Sequence, residues 1–429
     1  MRNLFDQYTQ PENRLTHALA TALAEDRRLL RAFVRRVTGT KAPSGGRLEI
    51  VEQQIPGEPA AVREEEAERR GLPDAWIHDG GDWALLIESK IQAKLTRSQL
   101  QRHLYTARRR GFSDVELVAI VADRPKKPPL DSVRIIEWTG VYRWLRQQEE
   151  SAWARRVTDY MEILEGRFVA DGYLREGSLT VFSGIPFGPD SPYNYREAKR
   201  VLGLAMNELR RRSDLQDHLG VDFEGAGRPA ITGRDGVNVW DFLRLKNSTE
   251  GEDFNLHPHL TLSIQDKRVF TLVSFPHRLK TVYRRNLLGT DREEFLEMMG
   301  STCSDIEAVL KAVPGAVPWL ELAQRHYPTQ RSVPIVDARL EFDLRTAAPG
   351  PTKPKGRKGP VKAQPEWLDA VYHALSKKRS NLQFGVGAIF PYDRCKAVRT
   401  PEILDHIADT WLACGPVIHT ALGETGRTR

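Results

Sequence analysis

The sequence has little cysteine, no long hydrophobic run and no hydrophobic segment at its start. Only three of the 429 residues are cysteine, and Cys303, Cys395 and Cys414 lie far apart. Their odd number and spacing argue against both a disulfide framework and a zinc site, and suit a reducing compartment. The best apolar run, 117–122, is much shorter than the roughly 20 residues of a membrane helix. Because the first residues also lack the apolar region of a secretory signal, we expect a cytoplasmic protein with no membrane partner.

The charge balance is modestly basic. The chain carries 64 Lys and Arg against 57 Asp and Glu, which gives a net charge of +7. Such a balance favours a polyanionic partner, because cations neutralise phosphates and release counterions. Charge alone does not decide the matter, since many basic proteins bind no nucleic acid.

A chain of this length exceeds what one hydrophobic core usually fills, so we expect more than one domain. Residues 1–170 predict a mixed α/β domain, and a Gly-rich stretch follows it. Residues 171–346 predict an α+β region for recognition or regulation. The segment 347–365 has five cations, five prolines and no acidic residue, which is typical of a flexible basic linker or loop. Residues 366–429 predict a C-terminal helical segment.

The first domain shows clear periodicities. A helical stripe begins at Pro11 and ends at Gly39, and a second helix opens at Thr96 in the form of a capping box and ends near Gly111. Alternating or continuous apolar runs predict strands, the run 115–122 being typical of a central strand buried on both faces. The predicted strands are 48–54, 74–78, 83–91, 115–122 and 133–138, followed by helices at 141–147 and 152–165.

Three residues of the predicted hairpin carry the chemistry. Asp74 opens one strand, and Glu88 and Lys90 end the next, after the turn at 78–82. Side chains alternate faces along a strand, so Glu88 and Lys90 share a face and Ser89 points away. We therefore expect two carboxylates and one ammonium group to converge at a sheet edge.

This set suits phosphodiester hydrolysis. Two carboxylates are the hard ligands that Mg²⁺, or Mn²⁺ in its place, takes together with phosphate oxygens and water. A metal there polarises the phosphoryl group and supplies hydroxide. Lys90 is placed to orient the attacking water and to offset charge in the transition state. We predict Asp74 and Glu88 as metal ligands and Asp74, Glu88 and Lys90 as catalytic residues.

The residues Pro73-Asp74 and Glu88-Ser89-Lys90, on strand-turn-strand, resemble the PD-(D/E)xK nuclease superfamily over roughly residues 10–150. The resemblance implies a restriction-endonuclease-like mixed sheet flanked by helices, with the order helix, three strands, helix, strand. It also implies two further site residues. Gln101, with Tyr105, looks like the Gln-x-x-x-Tyr element of the RecB-like branch, and Glu12 of the first helix looks like an added metal ligand.

Each of these additions has a simpler explanation as well. Gln101 and Tyr105 are also spaced as an ordinary pair on a helix surface. Glu12 is equally explained as an acidic residue that favours the helix dipole. Glu52 is placed to face the site from its strand, although an exposed strand glutamate is the commoner case. The segment 12–16 (Glu-Asn-Arg-Leu-Thr) is also similar to nucleases of bacterial antiviral defence.

The second region offers weaker signals. His257, His259 and His277 lack the cysteine or carboxylate pattern that would complete a metal site, so we expect packed or surface histidines. The strand pair 259–275 and the basic segment 278–285 are consistent with part of a nucleic-acid surface or with a solvated face. Helices are predicted at 196–212, 292–299, 304–312, 366–377 and 400–413, and a strand at 237–245.

The sequence thus predicts a Mg²⁺- or Mn²⁺-dependent endonuclease that cuts nucleic acid, with DNA as the expected substrate, in a bacterial defence or restriction system. The second region would restrain or direct it, with a homodimer or a defence-system partner protein as further possibilities. Two alternatives stay open. One is a non-catalytic nucleic-acid-binding or assembly scaffold that keeps the nuclease fold, and the other is a nuclease directed at RNA.

Overall fold

A computed structural model describes residues 10–39, 47–54, 72–222, 236–245, 253–329, 335–348, 364–377 and 381–424, together with Phe5, Tyr8, Pro56 and the backbone of 231–232. The chain forms two compact units, Met1–Val181 and Phe182–Arg429. Both are mixtures of helices and strands, as predicted, and each contains one sheet. No helix in the described part of the chain is long and apolar enough to cross a membrane.

The first unit is built on a mixed five-stranded sheet in the order β1-β2-β3-β4-β5. β1, β2 and β3 pair with one another in antiparallel fashion, and β4 and β5 continue the sheet parallel to β3. A parallel connection between β3 and β4 requires a crossover, which a helix supplies. The strands are β1 (Glu49–Glu52), β2 (Ala75–His78), β3 (Trp83–Lys90), β4 (Asp114–Val121) and β5 (Val133–Glu137).

Helices cover both faces of this sheet. On one face, α3 packs through Leu100 and Ala107 against Ala84 and Leu86 of β3. The opposite face carries Leu85 and Ile87 of β3 and packs against the remaining helices of the unit. In the described part of this unit the helices are α1 (Pro11–Glu25), α2 (Arg27–Thr38), α3 (Arg97–Arg109), α4 (Trp138–Arg146) and α5 (Ala152–Ala170). Because both faces are covered, β3 is buried almost along its whole length.

The predicted first helix is two helices. Asp26 is extended and interrupts the stripe, and one of its carboxylate oxygens accepts hydrogen bonds from the backbone N–H groups of Arg28 and Leu29. This is an N-cap, which satisfies donors that the first turn of a helix leaves unpaired. The other oxygen accepts from Ser151 Oγ at 2.6 Å, which joins α2 to the start of α5. Gly39 ends α2 in the left-handed conformation, where the sequence placed the end.

A buried glutamate holds the end of the first unit. Glu165 on α5 is 1% exposed, and its Oε1 accepts from the backbone N–H groups of Gly177, Leu179 and Thr180. Its Oε2 accepts from the Thr180 hydroxyl. A buried carboxylate is stable only when it is paired or hydrogen-bonded in this way. The segment after α5 is therefore anchored up to Thr180, and the division between units follows at Val181, beyond the predicted boundary at 170.

The second unit contains a seven-stranded sheet that is antiparallel throughout, in the order β11-β10-β12-β9-β8-β7-β6. The strand predictions at 237–245 and 259–275 are confirmed, and β8 and β9 form the predicted pair. The strands are β6 (Ile231–Thr232), β7 (Asn238–Arg244), β8 (His259–Gln265), β9 (Arg268–Phe275), β10 (Val317–His326), β11 (Ile335–Asp343) and β12 (Leu382–Pro391).

Helices pack on one face of this sheet. They share one core with alternate residues of the strands, such as Leu260 and Leu262 of β8 and Val386 of β12. The predicted helices at 292–299 and 304–312 are one continuous helix. The helices are α6 (Tyr195–Arg210), α7 (Ser213–Leu219), α8 (Thr281–Leu288), α9 (Arg292–Leu310), α10 (Leu344–Ala347), α11 (Glu366–Lys377), α12 (Ile403–Ala413) and α13 (Gly415–Leu422), with 3-10 turns at Phe254–Leu256 and Lys396–Arg399.

The C-terminal segment 366–429 contributes a strand as well as helices. Its strand β12 pairs with β9 on one side and with β10 on the other, so it lies inside the sheet. Leu368 and Val371 of α11 and Trp411 of α12 join the core of the second unit. The segment therefore belongs to that unit. Most of the predicted basic linker, 349–363, lies outside the described residues.

Candidate active site

Three sequence-predicted residues meet where β2 and β3 run side by side. β2 begins at Ala75, which pairs with Ile87 of β3, so Asp74 lies level with Glu88. Glu88 and Lys90 share the sheet face that α3 covers, because residues two apart on a strand point the same way. Ser89 points to the opposite face and is fully buried. The predicted placement of Asp74, Glu88 and Lys90 on adjacent strands is therefore what the structure contains.

Glu88 is the centre of this cluster and is 1% exposed. Its Oε1 accepts from Gln99 Nε2 at 2.6 Å and forms an ion pair with Lys90 Nζ at 2.8 Å. Its Oε2 lies 3.0 Å from His103 Nε2. An ionised carboxylate can only accept, so His103 donates from Nε2. Two side chains of α3 and one of β3 therefore surround the buried carboxylate.

The electrostatics of Glu88 follow from this surrounding. Burial by itself raises the pKa of the Glu88 carboxyl, because a low-dielectric site disfavours the charged form. The hydrogen bond from His103 and the charge of Lys90 act in the opposite direction and are together stronger. The pKa of Glu88 consequently lies below its ordinary value, and the group is a carboxylate at neutral pH. Lys90 is 16% exposed, so it connects the buried carboxylate to the surface.

Asp74 is held by the backbone of the neighbouring strand. Its Oδ2 accepts from the Ser89 backbone N–H at 2.7 Å, a short distance for a hydrogen bond of this kind. Asp74 is partly buried, and the backbone carbonyl of the same residue accepts from the Gln53 N–H of the chain after β1. These contacts fix its position between β1 and β3.

The helix residues at the site differ from the predicted ones. Gln101 and Tyr105 are exposed, Tyr105 by 64%, and neither is among the groups that hydrogen-bond to Glu88. Gln99 and His103, each two positions earlier, make those contacts instead. Their spacing of four residues places both on the face of α3 that turns toward the sheet. The sequence contained a signal for this, because His103 lies between Leu100 and Ala107 on the buried stripe.

Gln99 also modifies the predicted capping box. Thr96 Oγ1 accepts from the Gln99 backbone N–H, which is one half of the motif. The Gln99 side chain reaches to Glu88 at 2.6 Å. A free glutamine at this position would turn back to the N-cap residue. The Gln99 side chain therefore donates to the buried Glu88 carboxylate, whereas in a complete capping box it would bond to the backbone of the N-cap residue.

A second polar pair lies on the other face of the sheet. His17 Nδ1 of α1 and Glu52 Oε2 of β1 are 2.8 Å apart. Glu52 pairs with Ala75, which pairs with Ile87, so Glu52 faces the helices α1 and α2 and not Glu88. Its Oε1 is buried and accepts no hydrogen bond from the described residues. His17 was not predicted, and Glu12 belongs to the same helix but its side chain lies outside the described residues.

The donor set of Asp74 and Glu88 fits a hard divalent cation. Mg²⁺ is commonly held by one or two carboxylates, with water and phosphate oxygens as the other ligands. Within the described residues, no group of three or more His, Cys, Asp or Glu side chains is arranged to hold a metal ion. A metal at this site would therefore depend on the two carboxylates and on oxygen atoms of a bound substrate.

Comparison with known proteins adds no assignment. The scan against family models gives no match, and no curated protein matches the sequence significantly.

Proposed function

We propose that the first unit is a metal-dependent nuclease of the restriction-endonuclease-like fold, with Asp74, Glu88 and Lys90 as its active site. The observation that carries the proposal is the burial of Glu88 as a carboxylate on a central strand, level with Asp74 and paired with Lys90. A buried charge in a strand flanked by apolar residues is costly to keep. Perturbed charged groups of this kind concentrate at functional sites.

The residues have distinct roles in this proposal. Asp74 and Glu88 would hold Mg²⁺ or Mn²⁺, and the ion would polarise the phosphodiester and lower the pKa of a water molecule. Lys90 turns from Glu88 toward the substrate, orients the attacking water and offsets charge on the phosphoryl oxygens. Gln99 and His103 act as positioning residues, because each holds an oxygen of Glu88. Gln101 and Glu12 remain predictions from the resemblance.

DNA is the substrate that we propose, in a bacterial defence or restriction system where the second unit restrains or directs cleavage. The net charge of +7 supports a polyanionic substrate of either kind. RNA as the target is therefore one of the outcomes that the cleavage assay separates.

One observation favours the non-catalytic scaffold as a second candidate. Both oxygens of Glu88 already have partners in Lys90, Gln99 and His103. A network of this kind is also what a purely structural role requires, since both oxygens of the buried carboxylate are satisfied. In a scaffold, substitution would change stability and leave no cleavage to lose.

The test is cleavage by the full chain of plasmid, linear duplex, single-stranded DNA and RNA, with Mg²⁺, Mn²⁺ or EDTA. We expect cleavage that needs the metal and that falls by at least about 100-fold in Asp74→Asn and Lys90→Ala. Asp74→Asn keeps the shape of the side chain, so a folded variant is expected. The exposed Glu150→Gln is the matched control for the loss of one carboxylate.

The outcomes of these assays distinguish the nuclease from the scaffold. Wild-type rates in Asp74→Asn and Lys90→Ala would refute the active site proposed here. Absence of cleavage of every substrate, with Mn²⁺ binding by calorimetry unchanged in Asp74→Asn, would favour the scaffold. Loss of both Mn²⁺ binding and cleavage in Asp74→Asn, with Glu150→Gln unaffected, is the expected result.

A further inference from the structure

Among the residues that the structure describes, the helices of the second unit pack on one face of its seven-stranded sheet and none packs on the other. Val239 of β7, Leu260 of β8 and Val273 of β9 point into the helical core. The residues next to them along each strand point to the opposite face of the sheet. On β7 and β8 these include Trp240, paired with Ser263, in a region also lined by Phe254. A face with both aromatic and hydroxyl side chains differs from the plain solvated face of a surface sheet.

A cavity of about 420 Å³ lies on this face, and its lining comes entirely from the second unit. Such a volume is within the range of ligand sites. One end is aromatic and rich in amide groups, and the other is charged. The lining residues that matter below are Trp240, Phe254, Asn238, Glu321, Arg325 and Arg339.

Two glycines of β12 lie on this face of the sheet. Gly385 of β12 pairs with Ser274 on one side and with Glu321 on the other, and Gly387 follows on the same face. A Cβ atom on Gly387 would lie 2.1 Å from the Thr271 carbonyl oxygen, so a side chain is excluded there. Glycine inside a strand often marks a place where a ligand approaches the backbone.

The aromatic end offers ring faces. The rings of Trp240 and Phe254 have centroids 6.2 Å apart, and Phe254 stacks on Phe242 at 4.5 Å. His259 packs beneath them, 5.0 Å from the Phe242 ring, and is buried. This explains His259 as a packed histidine. Trp240 is only partly buried, so a flat ring has access to it.

The charged end has an excess of arginine. Glu321 is 12% exposed and pairs with Arg325 at 3.6 Å and with Arg339 at 3.2 Å. Glu341 pairs with Arg339 and with Arg268, so three arginines meet two glutamates. Arg325 Nε is buried and has no hydrogen-bond partner in the described part of the chain. Because this N–H group lacks an acceptor and the arginines outnumber the glutamates, an anionic group of a ligand would bind favourably here.

We infer that this face binds a single-stranded nucleic acid, with bases stacked on Trp240 and Phe254 and phosphates at Arg325 and Arg339. Aromatic platforms joined to cations are the usual means of holding unpaired bases, and duplex bases are not available to them. From β7 to β10 the sheet spans four strand spacings, roughly 19 Å. That distance suits several linked nucleotides better than one. The inference does not depend on the proposed cleavage.

The test is binding of fluorescein-labelled DNA and RNA strands of about ten nucleotides to the full chain in EDTA, where no cleavage interferes. We expect Trp240→Ala to weaken binding by about tenfold or more, and Trp240→Phe to keep most of it. Trp367→Ala removes another partly exposed tryptophan, outside this face, and should stay within about twofold. Arg325→Ala should lower the slope of log affinity against log salt by about one phosphate contact.

Two further ligands test whether the face prefers a single strand. A labelled duplex and a labelled mononucleotide should both bind more weakly than the strand. Equal affinity for either one would overturn the inference, as would equal losses in Trp240→Ala and Trp367→Ala. Arg285→Ala removes an exposed cation of the 278–285 segment and should not reproduce the effect of Arg325→Ala. Thermal melting of each variant shows whether it is folded.

Discussion

The two sheets of this protein hold their charged side chains in opposite ways. In the first unit, helices cover both faces of the sheet, and Glu88 lies 1% exposed near the end of β3. In the second unit, helices cover one face, and the charges of Glu321, Glu341 and the nearby arginines lie on the other. The first arrangement shields the carboxylate from solvent, and the second leaves most of these charged side chains partly exposed.

This difference predicts how strongly the substitution of each charged residue lowers the stability of the fold. A buried carboxylate depends on every partner that it has, because no solvent replaces a lost one. A pair at the surface is screened and contributes little. Large effects of single substitutions are therefore expected around Glu88, and small effects across the open face of the second sheet.

The largest contrast should come from removing one carboxylate in each sheet. Glu88→Ala leaves Gln99, His103 and Lys90 without their shared acceptor and should lower the free energy of unfolding by about 4 kcal/mol. Glu341→Ala, at a carboxylate that is 31% exposed, should cost less than about 1 kcal/mol. Urea unfolding of both variants measures this. Similar losses would contradict the distinction drawn between the two sheets.

The next effect concerns pH and the second unit. Burial lowers the pKa of His259 to about 4, from an ordinary value of 6.5. The folded state then binds fewer protons than the unfolded state between these values, so stability is full above pH 6.5 and falls as the pH drops toward 4. The total loss should be about 3 kcal/mol. Urea midpoints measured across this range in wild type should decline accordingly.

The matched controls for this effect are two histidine substitutions. His259→Gln removes the buried imidazole and should flatten the dependence between pH 6.5 and 4. His218→Gln, at an exposed histidine of α7, should leave the dependence as it is in wild type. A His259→Gln protein with the full wild-type slope would show that another group is responsible.

A smaller effect is expected at the floor of the second sheet. Gly387→Ala forces a methyl group against the Thr271 carbonyl oxygen and should cost about 2 kcal/mol. Gly300→Ala, in the middle of α9 where a Cβ meets nothing within 4 Å, should instead stabilise by about 0.5–1 kcal/mol. Thermal unfolding gives both values. Equal tolerance at the two sites would remove the steric reason for glycine in β12.

The smallest effect distinguishes two glutamines of α3. Gln99→Ala removes a hydrogen bond to a buried carboxylate and should cost about 1.5 kcal/mol. Gln101→Ala, on the exposed face, should change stability by less than about 0.5 kcal/mol. The cleavage assay on the same proteins compares their roles in activity. A larger loss in Gln101→Ala, in either measurement, would favour the motif over the observed contacts.

Much of the first unit was predictable because its patterns are local. The apolar runs at 83–87 and 115–122 each predict a strand, and residues 78–82 predict a turn, without reference to distant residues. Adjacent strands then place Asp74 beside Glu88. The phase of α3 was harder to predict. Leu100 and Ala107 favour an inward His103, but Leu104 widens the apolar stripe, and packing on the sheet selects the face that carries His103.

Less of the second unit was predictable. Strand β12 contains Gly385 and Gly387, which weaken the strand pattern, and its pairing partners β9 and β10 are far from it in sequence. No strand is predicted at β11, although Asp337, Arg339 and Glu341 alternate there with apolar residues. The uncovered face with Trp240 and Arg325 depends on these long-range pairings, so no local pattern indicates it.

The sequence alone therefore determined two features of the site. The short turn at 78–82 makes the strands 74–78 and 83–91 neighbours. Glu88 and Lys90 share a face because side-chain directions alternate along a strand. The partners of Glu88 were decided by tertiary structure. Packing of α3 against β3 turned Gln99 and His103 toward the carboxylate, and it turned Gln101 and Tyr105 to solvent. The physical reason is the burial of Glu88, which demands donors from whichever element covers it.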